Sequence, residues 1–152
     1  MTETTTDSTL RLTTGVFAVA LLVHGADHLR RGMDVTSALV NTLGTLQLLF
    51  ALLTVFLVVR RRPEAPLAAT VVGFASAVGF TLVHLLPDWF GPLSDSFIAA
   101  PPEARVTGFS WFAALFEIAA DLAIGIAGLR ALRAARLKPG LRRIEDTRRS
   151  PH

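Results

Sequence analysis

VTGFSWFAALFEIAADLAIGIAGL, residues Val106–Leu129, decides the class of fold: 24 residues with only two charges, Glu117 and Asp121. A hydrocarbon core about 30 Å thick takes ~20 helical residues to cross, so this run is long enough to span a bilayer. Three more stretches of the chain qualify in the same way, Leu12–Leu29, Val35–Val59 and Pro66–Leu86. Together they fill most of a 152-residue chain that is 51% hydrophobic with a mean hydropathy of +0.50, well above an ordinary globular protein. The expected fold is an all-α membrane protein, an antiparallel up-and-down four-helix transmembrane bundle. Its single domain covers residues 12–129, between a polar cytoplasmic N-tail (1–11) and a basic cytoplasmic C-tail (130–152).

Charge sets the expected orientation. Cations near span ends favour the cytoplasmic side. The N-tail, the second loop and the C-tail share one side and carry 12 of the 15 basic residues. Arg30, Arg31 and Arg105 are the three on the other. Both termini are therefore expected in the cytoplasm. Trp89 and Trp111 fall at the non-cytoplasmic ends of spans three and four, where a membrane-interface belt of aromatics belongs.

The start of the chain, with Glu3, Asp7 and no basic residue before Arg11, does not read as a cleaved signal peptide, so the first span is expected to be retained. Fourteen of the 15 cations are Arg, a bias that suggests a GC-rich genome; the expected location is a bacterial plasma membrane. The C-tail should extend span four as a short helix from Arg130 to Lys138, stopped by Pro139-Gly140. Its arginines suit anionic lipid headgroups. Positive-inside anchoring accounts for them, so no nucleic-acid partner is inferred; a membrane-protein partner or a homo-oligomer stays open.

Apolar helices in lipid associate through small residues and interhelical hydrogen bonds. Such stripes run through Asn41, Gly44, Gln47, Ala51 and Thr54, through Ala69, Gly73, Ala77, Thr81 and His84, and through Ser110, Ala113, Glu117, Asp121, Gly125 and Gly128. Span one is less clean, with Ala20, His24 and His28 on one side and Asp27 slightly off it. Short first and second loops predict that sequence neighbours pack side by side. The long outer loop, 88–103, is rich in aromatic and proline residues and suits either a lid or an interfacial anchor.

The ionisable residues need an explanation, because a charge at the bilayer centre costs on the order of 3 kcal/mol. His24-Gly-Ala-Asp27-His28 places two imidazoles one helical turn apart, able to reach one cation. His84, four residues before Asp88, is expected at similar depth. No Lys or Arg lies between the span ends, so Glu117 and Asp121 have no fixed cationic partner. Glu117 is expected to meet His24; Asp121 is expected near Gln47 or Asn41, or towards the cytoplasmic half.

Three functional readings follow. In the first, His24, His28 and His84, with Glu117 or Asp27, bind a divalent transition metal, since imidazole and carboxylate suit Zn, Fe, Mn or Cu(II). In the second, His24 and His84 ligate haem axially. In the third, the same groups relay protons or hold a polar headgroup. A structural alternative assigns Asp27, His28 and Asp88 to the interface, pairs Asp27 with Arg30 or Arg31, and leaves His24 and His84 to fix packing. The protein is then an accessory membrane subunit. No cysteine is present, which excludes disulfides and thiolate chemistry. No hydrolase elbow or phosphate loop appears, and Ser94-Asp95-Ser96 reads as a turn. No catalytic motif argues for an enzyme.

Overall fold

A computed structural model of the protein describes the backbone of residues 3–149 and the side chains of residues 7–137. Its described elements are all helical. They are α1 (Glu3–Arg31), α2 (Ala38–Val59), α3 (Ala65–Phe80), continued by a wider π turn (Thr81–Leu85), and α4 (Gly108–Arg149). Two short 3-10 turns, Gly91–Leu93 and Pro102–Ala104, lie in the loop between α3 and α4. Four segments are long and apolar enough to cross a membrane: Asp7–Arg31, Ala38–Val59, Ala65–Leu85 and Gly108–Leu137.

Two boundaries differ from the sequence reading. Helix α1 starts at Glu3, inside the expected N-tail. Helix α4 continues through Pro139 and Gly140 to Arg149 instead of stopping there. A proline removes one intrahelical hydrogen bond, which a long helix survives.

Glycine decides how closely α3 and α4 meet. A Cβ on Gly73 would stand 2.6 Å from the Asp121 carbonyl oxygen, and one on Gly128 would stand 2.7 Å from the Pro66 carbonyl oxygen. Backbone meets backbone at both points, as small-residue stripes permit. The two helices run in opposite directions, with residue 73 beside 121–125 and residues 66–70 beside 128.

Helix α4 packs along α1 as well as α3, and both contacts are extensive. Helix α2 touches α3 over a smaller area and α1 only lightly, so the first two helices are weaker neighbours than their short loop suggests. It gives Ala51, Thr54 and Val58 to the interior, while Gly44 on its expected contact stripe is exposed. Leu46, Leu49, Phe50, Leu53 and Phe56 face outwards, an apolar surface that water would not favour.

Candidate metal centre

The buried face of α1 reads Thr14, Phe17, Ala20, His24, Asp27 and Arg31, at spacings of three and four. Asp27 is thus on the buried stripe, not beside it. Its Oδ1 accepts from Arg30 Nε at 3.0 Å and Nη2 at 2.8 Å, and from the Ser110 hydroxyl at 3.1 Å. The same Arg30 nitrogen reaches the Arg105 carbonyl at 3.0 Å. This network ties the end of α1 to the start of α4 and sets their register, Asp27 beside Ser110.

Arg31 is the residue that sequence reasoning placed wrongly. Counted as a loop cation, it is instead fully buried. Its Nη1 and Nη2 donate to the two Asp95 carboxylate oxygens at 2.7 and 2.6 Å, and its Nε donates to the Ala104 carbonyl at 2.9 Å. The guanidinium lies 5.2 Å from the centre of the Phe97 ring. Bidentate pairing of this kind is among the stronger polar contacts. Asp95 is therefore a buried anchor, and the backbone at 94–97 forms no turn, with Ser94 extended. One signal was available: Arg31 lies seven residues, two helical turns, beyond His24 on the same face.

The loop between α3 and α4 folds back onto the end of α3. Leu86 takes extended backbone angles, as the residue before Pro87 should, and the helix stops. Carbonyls left free by the π turn are taken up by the loop: the Asp95 N–H donates to the Val83 oxygen at 3.1 Å, and the Phe97 N–H to the His84 oxygen at 3.0 Å. Ser96 Oγ donates to the Leu86 carbonyl at 2.6 Å. His84 sits inside this wider turn, a local geometry that often occurs at functional positions.

Three imidazoles converge beneath that loop. Ring centres are 4.9 Å apart for His24–His28, 5.0 Å for His24–His84 and 5.9 Å for His28–His84. Each offers a ligand atom, and these atoms lie within 4.8 Å of one another. Nitrogens bound ~2.1 Å from one tetrahedral ion stand ~3.4 Å apart, so the imidazoles need to close by up to about 1.4 Å. His84 Nδ1 lies 3.1 Å from the Asp95 carbonyl oxygen. A carbonyl only accepts, so Nδ1 carries the proton and Nε2 keeps its lone pair. Metal-binding histidines are commonly oriented in this way.

His24 has both ring nitrogens buried without a hydrogen-bond partner, and His28 Nδ1 is in the same condition. Beyond these, the buried side-chain atoms without partners among the described residues are the four carboxyl oxygens of Glu117 and Asp121. Both acids are fully buried.

Glu117 stands outside the group of three imidazoles. From the Asp27–Ser110 register, it lies four residues deeper than the level of His24, roughly 6 Å. The expected meeting of Glu117 with His24 therefore fails by about one turn. Asp121 does not bond to Gln47 either: its oxygens have no partner, and Gln47 Nε2 donates to Ser76 Oγ at 3.1 Å. Asn41 binds the Met33 carbonyl and the Thr36 hydroxyl, away from the centre. Asp88 and Trp89 are exposed, while Trp111 packs edge-on against Phe97, 5.7 Å between ring centres.

No known protein family, no curated protein and no solved structure matches this chain. The chemistry of the site has to be argued from its own residues.

Proposed function

We propose that this chain is a small integral membrane protein that holds a divalent transition metal at His24, His28 and His84. The observation that carries the reading is the convergence of three imidazoles from two helices, two of them buried and His28 half-buried. Two of them keep ring nitrogens without partners, while the third has its free lone pair defined by Asp95. A buried polar atom without a partner costs free energy, and native structures seldom tolerate several in one place. A cation takes up those lone pairs.

Imidazole suits Zn, Cu, Fe and Ni. Three protein ligands with a remaining position for water is the arrangement of catalytic zinc sites, so activation of a bound water is chemistry open to this centre. No residue pattern points to a substrate. Haem is a poorer fit. His24 and His84 are 5.0 Å apart between ring centres, and Phe80 lies 4.7 Å from His24, leaving no slot for a flat macrocycle between them. A purely structural role is also a poorer fit, because packing histidines would bond to Ser110 or Glu117. Ser110 bonds to Asp27, and the Glu117 oxygens have no partner.

In the full proposal the four helices cross the bilayer as an antiparallel bundle with both termini in the cytoplasm. The 12-to-3 distribution of cations supports this orientation. The minority strengthens it, because each of the three is engaged within the protein: Arg30 with Asp27, Arg31 with Asp95, and Arg105 with the Arg31 carbonyl. The basic tail then lies against anionic lipid on the inner surface.

Metal content tests the reading. Protein purified in detergent should carry about one transition-metal ion per chain, lost together in His24→Ala and His84→Ala. Folded, metal-free protein that takes up no added ion would overturn it. Orientation is tested with Ser94→Cys and Ser150→Cys in this cysteine-free chain. An impermeant thiol reagent applied to whole cells should label position 94 and spare 150.

A further inference from the structure

We infer that Glu117 and Asp121 are neutral carboxylic acids in the metal-free protein and give up two protons when a divalent cation enters the histidine centre. This rests on the metal reading above and adds what balances the charge.

The geometry leaves these acids no other counter-ion. Glu117 lies roughly 6 Å below the level of His24, and Asp121 a further turn down. Both carboxyls are fully buried and all four oxygens lack partners. Below His24, the buried face that α1 turns inward is Ala20, Phe17 and Thr14, and the Thr14 hydroxyl is already donated to the Leu10 carbonyl. From the α3 side, Ser76 is engaged by Gln47, and the Thr81 hydroxyl is donated to the Ala77 carbonyl of its own helix. From α2, Thr54 bonds its own helix. By this register His24, about one turn above Glu117, is the titratable group that comes nearest from the packed helices, and among the described residues no Lys or Arg lies at this depth. Two carboxylates side by side in hydrocarbon, with no cation, are strongly disfavoured.

The same arithmetic turns around once a metal is bound. Three neutral imidazoles hold a dication without cancelling its charge. Asp27 and Asp95 are the other acids near the centre, and each already faces an arginine. Glu117 and Asp121 are the pair left to compensate. In balanced form, one aqueous M²⁺ and two buried COOH groups give bound M²⁺, two COO⁻ groups and two H⁺ released to water. The net charge buried in the helices does not change. Metal uptake and proton release become one reaction, and affinity falls ~100-fold for each pH unit lowered, the slope expected for two linked protons.

The experiment adds Zn²⁺ alone to the full-length purified protein in detergent, weakly buffered at about pH 7.5, where an ordinary imidazole is already neutral. A pH-indicator dye counts protons while zinc binding is measured in parallel. Wild-type protein should release two more protons per zinc than the double variant Glu117→Gln/Asp121→Asn, and each single variant should fall between. Any proton from zinc-bound water persists in the double variant and cancels in the difference. Infrared spectra of the unmutated protein should lose carboxylic-acid carbonyl absorption on zinc addition, a readout that needs no variant to fold. Zinc bound with equal proton release in wild type and double variant, or with an unchanged carboxylic-acid band, would overturn the inference and leave the metal site standing. Failure to bind zinc at all would remove both.

Discussion

Asp27 and Glu117 are both carboxyl groups with almost no exposure, on helices that pack together. Asp27 accepts from Arg30 and from Ser110, whereas neither oxygen of Glu117 has a partner. The contrast extends to whole layers. At the outer end, Arg31, Asp95, Arg30, Arg105 and the loop backbone satisfy one another. One to three turns deeper, His24, Glu117 and Asp121 are left with buried atoms and nothing to bond. A saturated network holds a structure together, and losing one member exposes the rest. An unsaturated one weakens the structure until something binds. The outer layer is therefore read as the frame and the inner one as the site.

The largest effect should come from breaking the frame. Arg31→Met leaves the buried Asp95 carboxylate uncompensated and should cost ~3–5 kcal/mol in denaturant unfolding. Replacing both partners, Arg31→Met with Asp95→Leu, should recover much of that loss, since no lone charge remains. Next comes the α3–α4 contact. Gly128→Val forces side-chain atoms into the Pro66 and Thr70 backbone and should cost at least the ~1–3 kcal/mol typical of overpacking.

Mutations in the inner layer should behave in the opposite way. With metal removed by a chelator, His24→Leu or Glu117→Leu should change unfolding stability by less than ~1 kcal/mol or raise it, because an unpartnered polar group is exchanged for an apolar one. A loss comparable to Arg31→Met would erase the distinction between the layers. The smallest effect is expected at Trp89, which is 69% exposed. Trp89→Ala should stay within about 0.5 kcal/mol in detergent, and a larger loss would mean the loop tip belongs to the frame.

Most of the helical pattern was legible in residue type alone. Apolar run length locates the four segments, and the small residues at 73, 125 and 128 mark the tightest helix contact. The His24–His28 pair was legible from its four-residue spacing. His84 could be matched to it only by depth, and the structure brings the rings together.

What escaped were contacts made across long stretches of chain. Arg31 and Asp95 are 64 residues apart; Arg31 read as a loop cation because it stands just past an apolar run, and Asp95 as a turn residue between two serines. Nothing local distinguishes a cation reaching outward from one folded under a loop; only its phase with His24 did. The register error at Glu117 has a similar origin. Depth counted along separate helices carries no information on how far one slides past another, and the Asp27–Ser110 bond supplies that.

X-ray absorption at the edge of the bound metal tests the central claim most directly. Zinc-loaded protein should show imidazole scattering from three histidines at ~2.0–2.1 Å, with one ligand fewer in His84→Ala. Zinc coordinated by oxygen alone, or a spectrum identical in wild type and His84→Ala, would contradict a metal centre built from His24, His28 and His84.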